Sequence, residues 1–217
     1  MSDRLLVIAC GALAQEITAL KARYGWEHLD LKCIDAKLHN HPTKIPARLR
    51  EKIRLNKANY ADIFVAYADC GTGGEIDKII EEEGIKRLPG AHCYQFFAGE
   101  ARFTEIADEE PGTFYLTDFL AQHFDQFVTK PLKLVEHPEL RDAYFGNYRR
   151  VVYLSQTDNE DLMLAAKKAA KQLGLVFEHV SCGYGELESS LQTVALQRDI
   201  GLSNKRTRHD HVSVTEK

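Results

Sequence analysis

The stretch from Ile63 to Ile80 constrains this chain more than any other. Ile63-Phe64-Val65-Ala66 is an apolar run of strand-forming residues, and Glu75-Ile76-Asp77-Lys78-Ile79-Ile80 spaces its apolar residues along one face of a helix. Between them Tyr67-Ala68-Asp69-Cys70-Gly71-Thr72-Gly73-Gly74 reads as a strand-to-helix turn. Its glycines permit positive φ and close approach of other groups to the backbone, while Asp69 and Cys70 set a carboxylate and a thiol at the carboxyl end of the strand. Open α/β sheets place their chemistry at that end.

The pattern recurs along the chain. Leu5 to Ala9 is a first strand ending in Cys10-Gly11, and Leu13, Ile17, Leu20 and Tyr24 then mark one helix face. Leu29 to Ile34 is a second strand feeding the loop Asp35 to Pro42, and Ile45, Leu49 and Ile53 mark the next helix. The third helix stops at Gly84, and a short strand from Ile85 to Leu88 leads into Pro89-Gly90-Ala91-His92-Cys93 and an aromatic helical turn. Thr113 to Asp118 is a further strand with a polar exit, followed by helical spacing at Leu120, Phe124 and Phe127. Arg150 to Leu154 and Leu175 to Val180 are the last two strands, separated by a helix that Gly174 stops, and Glu186 to Leu196 is a final helix.

Alternating strands and helices of this kind predict an α/β fold: a mostly parallel sheet with helices on both faces, either continuous or in two similar Rossmann-like lobes. Residues 1–130 are expected to form the first lobe, with the Cys and His candidates, and 131–202 a smaller second lobe. Pro131 and Pro138 break the segment Lys130 to Arg150, which suits a hinge or outer surface, and 203–217 lacks any apolar period and reads as a mobile tail.

A formal charge of −4 and a pI near 6.1 give no basic footprint for nucleic acid. The apolar run near the N-terminus is too short for the core of a signal peptide and continues into an amphipathic helix, so the expectation is a cytoplasmic protein without membrane attachment. In that compartment five cysteines, an odd number, read as reduced thiols rather than a disulfide framework.

Cys10, Cys70 and Cys93 follow strand-like runs or sit in the next turn, so the fold would bring them to one sheet edge, whereas Cys33 lies inside a strand and Cys182 far along the chain. Three thiolates suit a soft metal, either zinc or an iron–sulfur cluster, with His39, His41, His92 or an exogenous ligand completing the set. The plainer alternatives are buried, inert thiols or a lone reactive cysteine, since no C-x-x-C pair is present. His39-Asn40-His41 would present both imidazoles on one side of an extended segment, but in a loop they cap or solvate. Gly71, Thr72, Gly73 and Gly74 ahead of a helix form a candidate cradle for the anionic group of a cofactor or substrate, against which stand the missing Lys-Ser/Thr of a phosphate loop and the nearby Asp69. Asp69 is the candidate catalytic acid, base or orienting group, with Asp118 a second strand-exit aspartate. Capping a helix is the ordinary role of either.

Taken together, Ala9-Cys10-Gly11-Ala12-Leu13, Leu38-His39-Asn40-His41-Pro42, Asp69-Cys70-Gly71-Thr72-Gly73-Gly74, His92-Cys93-Tyr94 and Phe114-Tyr115-Leu116-Thr117-Asp118 resemble an uncharacterised family of bacterial and archaeal proteins, a domain of unknown function met beside corrinoid-dependent methyltransferases. The likeness runs to about Leu196 and is most specific in the first half. It implies that Cys10, Cys70, Cys93 and the loop bearing His39 share one metal site. The function so implied is an enzyme or accessory factor in one-carbon or corrinoid-linked methyl metabolism, with a small-molecule substrate or ligand and a corrinoid methyltransferase system as the partners that the resemblance suggests. The alternative is a non-catalytic module that holds a small anionic or corrinoid-type ligand between two lobes.

Overall fold

The computed structural model describes residues 2–197, and the expected tail at 203–217 lies outside them. Two parallel sheets form the frame. The first has the order β2-β1-β3-β4, from β1 (Ser2–Cys10), β2 (Leu29–Ile34), β3 (Tyr60–Ala66) and β4 (Lys86–Arg87). The second has the order β5-β6-β7, from β5 (Thr113–Leu116), β6 (Arg150–Ser155) and β7 (Val176–Ser181). Each parallel step requires a crossover, and helices supply it.

Side-chain alternation along β1 explains how both faces of the first sheet are covered. Leu5, Val7 and Ala9 share a core with Leu13, Ile17 and Leu20, which precede or lie in α1 (Ala14–Tyr24). Leu6 and Ile8 pack instead with Ile45, Leu49 and Ile53 of α2 (Ile45–Lys57) and Ile76 and Ile79 of α3 (Glu75–Glu83). Thus α1 and α3 leave neighbouring strands on opposite faces. The chain diverges at the carboxyl ends of β1 and β3, and such a switch in direction opens the crevice where doubly wound sheets bind ligands. Cys10 stands on one side of it and the turn Asp69 to Gly74 on the other.

Two short helices, α4 (Cys93–Ala98) and α5 (Glu100–Glu109), join the sheets. Phe96 and Phe97 enter the core of the first sheet, while Tyr94, Ala98 and Ile106 pack toward Val152 and Leu154 of the second. The other face of the second sheet is covered by α6 (Asp118–Gln122), α7 (Leu140–Phe145) and α8 (Glu160–Leu173), with a π-helical stretch at Asp125–Thr129. The segment expected as a hinge after Lys130 is therefore part of the β5 to β6 crossover, with Leu132, Leu134, Phe145 and Tyr148 against that core.

The expected division at residue 130 does not coincide with the sheets. β5 lies before it yet pairs with β6, and the last helix, α9 (185–197), follows the second sheet yet packs Leu187, Leu191 and Ala195 on the first. Partner choice depends on tertiary packing, which strand and helix periodicity does not encode. No helix among the described residues is long and apolar enough to cross a membrane.

Candidate functional site

Three loops meet at the carboxyl edge of the first sheet. Cys10 ends β1 and opens a short 3₁₀ turn at Gly11–Leu13. Glycine is needed there by proximity: a Cβ at position 11 would lie 3.1 Å from both Ala36 N and Ile34 O, where the β1 and β2 exits touch. The second loop winds as a 3₁₀ turn at Ala36–Asn40, capped by Asp35, whose carboxylate accepts from the Lys37 N–H at 2.9 Å. It leans over the glycine turn, with Pro42 3.7 Å from where a Cβ on Gly71 would stand. Asn40 Nδ2 ties its far side to the second sheet's crossover by donating to Phe127 O at 3.2 Å.

The turn Asp69 to Gly74 is held by its own carboxylate. Thr72 Oγ1 donates to Asp69 Oδ1 at 2.7 Å, and the N–H groups of Gly74 and Gly73 reach the same carboxylate at 2.8 and 3.2 Å. Burial pushes the Asp69 carboxyl up, but these donors and Arg87 outweigh it and hold the group below its usual range. The expected anion cradle at Gly71, Thr72, Gly73 and Gly74 is thus turned inward, because an internal carboxylate already takes the Gly73 and Gly74 N–H groups. Asp69 in this geometry orients the loop.

Cys70 takes φ 51°, a left-handed conformation that is uncommon outside glycine. Its N–H donates to Ala91 O at 2.8 Å and that of Asp69 to Gly90 O at 3.1 Å, so the loop after β4 is clipped to the turn. Two residues further on, Cys93 starts α4. The clip therefore brings the third thiol to the first two: each of Cys10, Cys70 and Cys93 lies close enough that charge on one acts on another.

All three thiols are half-buried, and burial is the main influence on each. It pushes Cys10 up, Cys70 up to about 12 and Cys93 well above the ordinary thiol range. The Tyr67 hydroxyl, hydrogen-bonded to Cys10, works the other way on that thiol. Cys33, level with Ala9 in the register, is pushed up by burial and then by Cys10, so it stands nearer to the group than the sequence suggests. Cys182 is governed by burial, which lifts it to about 11, then by Arg102 and Asp118 of other elements. Among the described residues no three His, Cys, Asp or Glu side chains are gathered tightly enough to hold a metal ion as they stand.

His39 and His92 both have considerable exposed surface, yet they lie close enough that charge on His92 acts on His39. The neighbouring protein crowds the His39 ring, and this burial, with His92 second, lowers its pKa and favours neutral imidazole. His39 and His41 line a cavity of about 830 Å³ between the two sheets, with Tyr94, Phe114 and Phe127 among its walls. A smaller cavity of about 310 Å³, at Leu5, Ile63 and Ile85, is remote from these loops.

Asp118, the second strand-exit aspartate, is a buried latch. Its carboxylate accepts from the Tyr153 hydroxyl at 2.6 Å, the Gln156 N–H at 3.1 Å, and the Thr157 N–H and hydroxyl at 2.9 and 2.5 Å. Those bonds join the exits of β5 and β6. Two groups escaped the sequence reading. Tyr67, noted in the sequence only as the first residue of the turn, is buried with its hydroxyl on Cys10, and Glu16 is a buried carboxylate on α1 whose Oε2 has no hydrogen-bond partner.

No curated protein and no solved structure matches the chain. A family model described as "Protein of unknown function (DUF1638)" matches residues 33–191, a span that includes His39, Cys70 and Cys93 and begins after Cys10. With nearly three-quarters of its length matched, the chain belongs to that family.

Proposed function

We propose that Cys10, Cys70 and Cys93 bind zinc or an iron–sulfur cluster at the crevice between β1 and β3. The observation that carries this reading is the convergence, at a topological switch point, of three unpaired thiols from separate loops. The donors fit such a group, because thiolate sulfur with one imidazole suits zinc and thiolates suit iron–sulfur clusters. Buried thiols stay protonated without a nearby cation, and a soft metal stabilises their ionised form. Since no three such side chains among the described residues are gathered tightly enough as they stand, metal binding requires the thiols to move closer together. His39, whose surroundings favour the neutral imidazole, is the fourth candidate ligand, and Asp69 fixes the loop that carries Cys70. On this reading the chain is an enzyme or accessory factor in one-carbon or corrinoid-linked methyl metabolism, a context suggested by the sequence resemblance alone.

The test is zinc, iron and sulfide content after anaerobic purification and reconstitution. Binding near one equivalent of metal or cluster is expected, with each of Cys10→Ser, Cys70→Ser and Cys93→Ser losing most of it. His39→Ala should lower it and His41→Ala should do so less. Absence of metal from the reconstituted wild type, or full retention by the serine variants, refutes the proposal. A second reading, a binding module for a small anionic or corrinoid-type ligand, is favoured by the cavity between the sheets.

A further inference from the structure

The geometry points to the cavity between the two sheets as a binding site for a small ring-bearing organic anion, carboxylate or phosphate in kind, lying alongside the thiol group. This deepens the second reading and rests on its cavity, not on metal at the cysteines. Its volume of about 830 Å³ falls in the range of small-molecule sites, ~300–1,000 Å³.

Wall and rim differ in chemistry. The wall is aromatic and aliphatic, and its rings are backed by others: Tyr94 stacks on Tyr115 with centroids 5.3 Å apart, and Phe114 meets Phe145 edge-on at 5.5 Å. Rings held in this way present a preformed surface to a flat ligand. At the rim stand Lys37, His39 and His41, and among the described residues no carboxylate lines the cavity. Among the described residues the Lys37 ammonium has no ion-pair partner, so its charge is open to an incoming anion.

Both sheets contribute. The rim comes from the loop after β2, while Gln126, Phe127 and Val128 come from the π-helical stretch of the second sheet's crossover. The bond from Asn40 to Phe127 O fixes one against the other. π-Helical insertions of this kind recur at functional sites. Tyr94, part of the wall, is the covalent neighbour of Cys93, so an occupant would lie beside the thiol loops.

Isothermal titration of the full chain with 2-naphthoate and with the neutral 2-naphthalenemethanol tests this. Naphthoate is expected to saturate one site, and the alcohol to bind about ten-fold more weakly or worse. Lys37→Ala, at an exposed position, should bring naphthoate down to the level of the alcohol and leave the alcohol unchanged. Gln126→Trp, also exposed, should fill the cavity and abolish both. Equal affinity for the two probes, no saturable binding, or indifference to Gln126→Trp overturns the proposal. The same titration on the folded triple variant Cys10→Ser/Cys70→Ser/Cys93→Ser separates it from the metal reading. Naphthoate binding that survives there supports the cavity whatever the metal content, and its loss overturns the assignment to the cavity lining.

Discussion

Glu16 shows what a single residue can conceal. It sits on the face of α1 that Leu13, Ile17 and Leu20 define, only 6% exposed, and burial, reinforced by Asp118, pushes its carboxyl up to about 7. The folded protein therefore holds this proton more tightly than the unfolded chain. Its favourable contribution is complete below the ordinary glutamate pKa and is lost as pH rises toward 7, so that above neutrality the buried charge costs about 3 kcal/mol. Glu16→Gln should raise stability by roughly that much at pH 8 and change little at pH 4.5, as read by urea unfolding at the two pH values. An equal effect at both would show that the carboxyl titrates normally. The helical spacing that revealed Leu13, Ile17 and Leu20 already included position 16, but periodicity is read from apolar residues and passes over a glutamate. Cys10, Cys70 and Cys93 stood out in the sequence because cysteine is distinctive and each lies at the end of a strand-like run or in the loop after one. The inward turn of Asp69 was not, since a carboxylate beside glycines reads equally well as a cap or a catalyst.

At the scale of elements Arg150 ties β6 to β5, α5 and β7. From the start of β6 its guanidinium donates to Thr113 Oγ1 on β5 at 2.9 Å, to Glu109 and to Ile106 O on α5 at 2.9 and 2.8 Å, and to Glu178 on β7 at 2.9 Å. Breaking a buried ion pair costs ~3–5 kcal/mol, chiefly through the charge left behind. Here the carboxylates of Glu109 and Glu178 are well exposed and can hydrate, so Arg150→Ala belongs at the low end, about 3 kcal/mol, in urea denaturation at pH 7. A loss under about 1 kcal/mol would mean that water replaces the whole network. The elements themselves were legible, because β1 and β3 contain apolar runs, β2 alternates apolar and polar residues, and their helices are amphipathic. The sequence was silent on the π-helical stretch at Asp125–Thr129, where Leu120, Phe124 and Phe127 keep ordinary helical spacing. The cavity wall depends on that stretch, and this is why the site between the sheets was less legible than the thiol edge.

For the whole molecule the order of the chain and the order in space part company. The chain begins in the first sheet, builds the second from β5 onward, and returns to the first with α9. The equation of each lobe with a continuous segment came from the repeated strand and helix pattern, which carries no information on what the last helix packs against. The difference has an energetic consequence. Leu187 and Leu191 are fully buried on the core of Leu13, Ile17 and Phe64, and each such side chain contributes ~1.5–3 kcal/mol. Together that is several kcal/mol, comparable with a domain's net stability of ~5–15 kcal/mol. A fragment of residues 1–130 would lack this cover and would also carry β5 without β6. It should therefore fail to give a cooperative unfolding transition or dispersed amide NMR signals, while the intact chain gives both. A folded, cooperative 1–130 fragment would show that α9 is dispensable and that the first sheet is an independent unit. The thiol edge would be lost with the fragment's fold, because Cys10, Cys70 and Cys93 are brought together by strands whose shared core α9 helps to close.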